Sequence, residues 1–153
     1  MDGALIKFRP YKGIELKGVY GRQRFNFDEG KIVKSDGVVR GFDGDANLNE
    51  IFPKLQDSKW KFSIGGSFVS KYQDANNDTL ILPKNVGSYG GRFSIRYSKF
   101  YLNGEYIHKE NDPSAQNNYI YNSGHGALIN LGYSQKGLGI LLSAKSIDNL
   151  SYR

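Results

Sequence analysis

Apolar and polar side chains alternate along GRFSIRYSKFYLNGEYIHK, residues 91–109. A period of two places successive side chains on opposite faces of a β-strand, so each face meets different surroundings. The alternation keeps its apolar face continuous if Ser98 and Lys99 form a tight turn, because Tyr97 then lies opposite Phe100. The turn and the hydrophobic pattern therefore predict the same hairpin register.

The same period recurs along most of the chain, whose Gly, Tyr and Phe contents suit strands and turns. A change of phase near Val19-Tyr20 indicates either a bulge or a strand boundary other than the predicted one. A turn around Gln135-Lys136 is predicted to leave Tyr133 opposite Leu138. The fold class is therefore all-β, an antiparallel up-and-down meander of about eight strands that forms a β-barrel or a large part of one, in a single domain over 1–153. The strands are predicted at about 3–9, 14–27, 38–48, 60–72, 91–109 (two strands of one hairpin), 124–134 and 138–147.

The links between the predicted strands alternate in length. Residues 28–37, 73–88 and 110–123 are long and polar, and the intervening links are shorter. Since every second link of a meander lies at the same end, the three long links meet there. This asymmetry is typical of outer-membrane barrels, whose strands also need about 9–11 residues. Aromatic residues near strand ends then predict interfacial girdles, at Trp60, Tyr72, Tyr89, Tyr97 and Tyr106.

Two sets of side chains follow from the alternation. The set predicted to face lipid or a core is Trp60, Phe62, Ile64, Phe68, Phe93, Ile95, Tyr97, Phe100, Leu102, Ile129 and Leu131. The polar set predicted to face an aqueous lumen is Asp43, Asp45, Lys61, Lys71, Arg92, Arg96, Asn103 and Glu105. Asp43 and Asp45 share a strand face, where neutralisation by Arg22, Arg24, Arg92 or Arg96 is favoured over acid–base catalysis.

Composition excludes several classes of protein. The net charge of +6 comes from basic residues scattered along the chain, without the patch that nucleic acid as a partner requires. The absence of cysteine excludes disulfides, thiolate metal sites and cysteine nucleophiles. No run approaches the ~18 apolar residues of a transmembrane helix.

Candidate metal ligands are weak, and no cofactor is predicted. Asp74, Asn76 and Asp78 have the alternating oxygen spacing of a calcium loop. However, Thr79 and Asn85 stand where an EF-hand needs Gly and Glu. A solvated loop tip is the favoured interpretation.

Candidate catalytic residues are equally sparse. His108 and His125 flank the third long link, with Ser123 and Ser134 nearby in sequence, but no G-x-S-x-G motif is present. The sequence therefore predicts that the protein is not an enzyme.

Two further motifs predict turns. The glycine-rich GSYGGR (87–92) does not match a phosphate-binding loop, and its glycines are expected to let the chain turn into a strand. Asn-Asp-Pro (111–113) is likewise a turn signal.

Four stretches carry a family resemblance: VVRGFDGDANLNEIF (38–52), GGSFVSKYQ (65–73), GGRFSIRYSKFYLNGEYIHKENDPSAQN (90–117) and YSQKGLGILLSAKSIDNLSYR (133–153). They resemble an uncharacterised family of longer, porin-like β-barrel proteins of the Bacteroidetes outer membrane. The resemblance implies a place in the outer membrane and a β-barrel architecture, with no catalytic residues to carry over. No signal peptide opens the chain and no aromatic residue ends it, so we expect an excised segment.

The leading hypothesis is a non-catalytic outer-membrane β-barrel protein or segment. Outer-membrane lipid is its expected partner, and its role is a porin-like passage or surface binding. The alternation also fits a soluble antiparallel β-sheet module, periplasmic or at the cell surface, that binds a ligand, glycan or protein through its long loops. The sequence does not name a solute or an envelope partner.

Overall fold

The computed structural model describes residues 2–22, 37–72, 85–113 and 121–150. Its eight strands form one antiparallel sheet in the order β1 to β8, which confirms the predicted all-β meander. The sheet is not closed into a barrel, so β1 and β8 are its two edges. The elements are β1 Asp2–Tyr11, β2 Ile14–Arg22, β3 Val38–Asn47, α1 Leu48–Ile51, α2 Pro53–Gln56, β4 Trp60–Tyr72, β5 Asn85–Tyr97, β6 Phe100–Pro113, β7 Tyr121–Gln135 and β8 Leu138–Asp148.

Two predicted details of register are wrong. Pairing between β2 and β3 runs without interruption past Val19-Tyr20, and the irregularity lies on β1, between Phe8 and Tyr11. The last hairpin turns one residue later than predicted, with Gln135 opposite Leu138. Gly137 has a φ of +82°, a conformation that glycine adopts readily, and its position selects the later turn.

The middle strands are longer than their alternation predicts. The glycine-rich residues 87–92 lie inside β5, and Asn-Asp-Pro (111–113) ends β6, so neither motif is a turn. β5 pairs with β4 over its full length, from Asn85 opposite Tyr72 to Tyr97 opposite Trp60. Cross-strand pairing thus outweighs the weak strand preference of glycine and asparagine.

The short helices α1 and α2 fill the link between β3 and β4. Asn49 is only 5% exposed there. Its Nδ2 donates to the carbonyls of Leu55 (2.6 Å) and Trp60 (2.7 Å), and its Oδ1 accepts from the N–H of Phe62 (2.7 Å). The NH₂ group and the oxygen of this amide are both hydrogen-bonded, and they anchor the link to Trp60 and Phe62 at the start of β4. None of the helices in the described part of the chain is long and apolar enough to span a membrane.

The two faces of the sheet differ in chemistry. The apolar face is defined by Trp60, Phe62, Ile64, Gly66, Phe68, Ser70 and Tyr72 of β4 and the residues level with them on the other strands. The polar face is defined by Lys61, Ser63, Gly65, Ser67, Val69 and Lys71 and the residues level with them. Among the described residues no hydrophobic side chain is buried, so this part of the chain covers neither face.

Candidate functional site

A charged network occupies the polar face of β1 to β5. Its centre is Arg92 on β5, which reaches across β4 to β3. Nη2 of Arg92 lies 2.6 Å from Oδ1 of Asp45 and 2.8 Å from Oδ2 of Asp43. Nη1 also donates to Oγ of Ser67 at 2.8 Å, and Ser67 donates to Asp43 at 2.8 Å. One guanidinium therefore bridges two carboxylates.

Glycine at position 65 makes this reach sterically possible. Gly65 lies directly between Asp45 and Arg92 in the paired strands. A Cβ at this position would lie 2.5 Å from Oδ1 of Asp45 and 2.7 Å from Nε of Arg92. Any larger residue would occupy the space that the ion pair now fills.

Lys17 extends the network to β2 and β1. Its Nζ lies 3.3 Å from both Asp43 and Glu15. The Glu15 carboxylate also forms ion pairs with Nζ of Lys7 at 2.9 Å and with Nη2 of Arg9 at 2.7 Å. Two of these contacts are diagonal, because Lys7 lies directly opposite Lys17 and Glu15 directly opposite Asp45. Each like-charged pair is therefore bridged by side chains of the opposite charge.

An open pocket of about 240 Å³ lies beside this network on the polar side of β3 to β7. Its lining includes Asp45, Arg92 and Glu105, together with the amides of Asn103 and Asn130. In a flat sheet five adjacent strands span roughly 19 Å, at about 4.8 Å per spacing. Long side chains help to bring the lining together, since Arg92 alone reaches from β5 to β3.

The predicted polar residues all lie on this face. Asp43, Asp45 and Arg92 join the network, and Asp45, Arg92, Asn103 and Glu105 line the pocket. Lys61 instead donates to the carbonyl of Gln56 at 3.0 Å. Lys71 and Arg96 share the face but do not line the pocket.

The predicted partners of the aspartates need correction. Arg22 points to the apolar face, because it is level with Val38 and Tyr72 on the paired strands, so it does not reach them. Arg24 lies outside the described residues. Lys17 and Glu15 were not predicted, although both fall on the polar parity of their strand and that signal was readable.

The predicted apolar residues all lie on the other face. Many are substantially exposed, including Ile64 (50%) and Ile129 (51%). The links 12–13, 48–59, 98–99 and 136–137 lie at one end of the sheet, the short-link end. There the rings of Trp60 and Tyr97 stack with centroids 4.4 Å apart. Phe100 and Tyr133 form a second aromatic pair across β6 and β7, at 4.7 Å.

The histidines are brought together, but not with the serines. His108 lies opposite His125 on the apolar face. The ring of His108 contacts Tyr89, with centroids 5.0 Å apart, and His125 lies 3.9 Å from Asp148. No hydrogen bond joins either histidine to Ser123 or Ser134 within the described ranges.

No group of three or more His, Asp or Glu residues in the described part of the chain is arranged to hold a metal ion. The weak calcium candidates Asp74, Asn76 and Asp78 lie outside the described residues.

Comparison with curated proteins and with solved structures found no match. A family model matches residues 1–153, and its description is a family of unknown function, DUF6029. The description names no location and no activity, so function must be argued from the geometry. The chain belongs to the DUF6029 family.

Proposed function

We propose that this chain forms part of the wall of a bacterial outer-membrane β-barrel and has no catalytic role. Its apolar face would contact lipid, and its polar face would line an aqueous interior. The observation that carries the proposal is an eight-stranded sheet in which no described hydrophobic side chain is buried. A water-soluble sheet must cover its apolar face with another layer. Lipid would serve as that layer here.

The distribution of charge on the apolar face supports this orientation. Counted from the short-link end, the first three positions of this face are uncharged on every strand. Charged side chains of this face, such as Arg22 and Arg40, lie toward the opposite end. A continuous uncharged band is what a bilayer requires of the lipid-facing side of a barrel.

The stagger of the strands gives a tilt slightly below the range found in membrane barrels. Following paired residues across the sheet from Tyr11 on β1 leads to Ala144 on β8, six residues beyond the start of β8 at Leu138. At ~3.4 Å per residue and ~4.8 Å per strand spacing, this is a rise of about 20 Å over about 34 Å. The resulting tilt of about 30° is close to the roughly 35–45° of membrane barrels.

Aromatic residues bracket a band of suitable height. On β5, Tyr89 and Tyr97 lie eight residues apart on the apolar face. This is about 27 Å along the strand and about 23 Å along the membrane normal at the tilt above. The apolar band of outer-membrane barrels is about 25 Å tall and has aromatic girdles at both interfaces.

The links agree with this orientation. Residues 12–13, 98–99 and 136–137 form tight connections at one end, where α1 and α2 also lie. The segments 23–37, 73–84 and 114–120 connect strands at the other end. Short periplasmic turns and longer external loops have this asymmetry.

The test is the solvent that the fold requires. The chain, unfolded in urea, is diluted into plain buffer or into phosphatidylcholine vesicles and detergent micelles, and far-ultraviolet circular dichroism is recorded on heating. We expect a heat-resistant β-type spectrum only with lipid or detergent. A monodisperse monomer with the same spectrum in plain buffer would overturn the proposal and favour the soluble binding module.

A further inference from the structure

The pocket on the polar face contains hydrogen-bonding groups that the protein leaves unused. Ser94, Asn103, Asn130 and Ser143 lie in one row across β5 to β8. Ser94 donates to Oδ1 of Asn103, and Ser143 donates to Oδ1 of Asn130, both at 2.6 Å. Each amide oxygen therefore already accepts one hydrogen bond. Within the described residues neither NH₂ group has an acceptor, so the pocket presents two amide donors.

An acceptor lies next to these donors. Glu105 is two residues from Asn103 on the same face of β6, and it lines the same pocket. Its cross-strand neighbour is Arg92, but Arg92 is turned the other way, toward Asp45. No ion pair holds the Glu105 carboxylate within the described part of the chain. Glu105 is about 7 Å along the strand from Asn103, and Asn130 is its diagonal neighbour on β7, about 7 to 8 Å away.

We infer that this pocket binds a neutral, polyhydroxylated solute, of the size of one pyranose sugar. A hydroxyl group can donate to Glu105 while a neighbouring hydroxyl accepts from Asn103 or Asn130, so adjacent hydroxyls match the unused groups. The volume of about 240 Å³ equals roughly eight water molecules. The inference names the solute class of the proposed lumen face, and it rests on the proposed function because the polar face must meet water.

Other ligand classes fit the pocket poorly. An anion would meet the carboxylates of Asp45 and Glu105, with only one guanidinium that is already engaged by two aspartates. A metal cation would meet two amide NH₂ groups, and no group of three or more His, Asp or Glu residues in the described ranges is arranged to hold one. An apolar ligand would leave the amides and the carboxylate without partners, at a cost in free energy.

The experiment titrates the full chain with D-glucose and with gluconate, an anion of similar size. It uses whichever medium gives the β-type spectrum, so it separates this inference from the proposal of a membrane location. The readout is the side-chain NH₂ signals of Asn103 and Asn130 in ¹⁵N-resolved nuclear magnetic resonance spectra. We expect glucose to shift both signals with saturation, and gluconate to shift neither. Unmoved signals with glucose, or an equal response to gluconate, would overturn the inference.

Variants test which groups bind. Asn130→Leu and Glu105→Gln are each expected to raise the Kd for glucose about tenfold, because each removes one hydrogen-bonding partner of the sugar. Arg96→Gln, on the same face but outside the pocket, is the matched control and should leave the Kd unchanged. Equal affinity in all three variants would contradict the site, and the wild-type titration remains decisive if a variant does not fold.

Discussion

Replacement of Ile64 by lysine tests which solvent covers the apolar face. Ile64 is 50% exposed, so the chain itself covers only half of its side chain. It is level with Phe93, which lies midway between Tyr89 and Tyr97 on β5. Under the proposed orientation this row lies near the centre of the bilayer.

The expected magnitude differs sharply between lipid and water. Lysine on the lipid face of a barrel costs about 2–4 kcal/mol near the midplane. Since 1.4 kcal/mol is a factor of ten, the folded population relative to the unfolded one falls by about 30- to 1,000-fold. In water, lysine at a half-exposed sheet position would change the free energy of unfolding by only about 0.5 kcal/mol.

Ser63→Lys is the matched control, because it adds the same charge at the adjacent residue on the polar face. Both variants and the wild type are refolded in phosphatidylcholine vesicles and titrated with urea. Fluorescence of Trp60, the single tryptophan, reports unfolding, since its ring stacks on Tyr97 in the folded sheet. A free energy of unfolding for Ile64→Lys that equals that of Ser63→Lys would refute the lipid-facing assignment.

Three further substitutions test contacts of the described sheet by urea titration in the folding medium. Asn49→Ala removes three hydrogen bonds from a buried site, although the Leu55 carbonyl still accepts from the N–H of Ser58. We expect a loss of about 2 kcal/mol, and wild-type stability would show that the amide does not anchor β4. Gly65→Ala should destabilise the sheet, because the added Cβ enters the Arg92–Asp45 ion pair. Gly66→Ala is the control and should be nearly neutral, since its Cβ would meet only the Gly90 carbonyl, at 3.5 Å. Equal losses of stability in the two variants would contradict the close approach at Gly65. Arg92→Gln leaves Asp43 and Asp45 without their shared guanidinium and should cost about 2 kcal/mol, against no measurable loss for Arg96→Gln.

Most of the fold could be predicted from the local alternation of apolar and polar residues. The opening hairpin has Tyr97 opposite Phe100 as its pattern indicates, since a two-residue turn and a period of two admit one register. The bulge at Val19-Tyr20 was not found, because an apparent change of phase in one strand has no effect when its neighbours pair on both sides. The length of β5 was also underestimated, since pairing with β4 holds glycines and Asn85 in strand geometry.

The charged site shows where sequence reasoning ends. The parity of Asp43, Asp45 and Arg92 in their strands is a local property, readable from the alternation alone. Their meeting depends on how β3, β4 and β5 are aligned, and on the missing side chain at Gly65 that lets Arg92 cross β4. The same alignment brings in Lys17 and leaves Arg22 on the opposite face.

The sequence by itself therefore determined the period, the two faces and the turn at Ser98-Lys99, because each depends on residues that are neighbours in the chain. Tertiary structure alone decided the stagger of the strands, the partners of each charge and the pocket with its unused amides. These depend on cross-strand distances between residues far apart in sequence, such as the 47 positions that separate Asp45 from Arg92. Local alternation is the same for many such alignments, and only pairing of the whole sheet selects one.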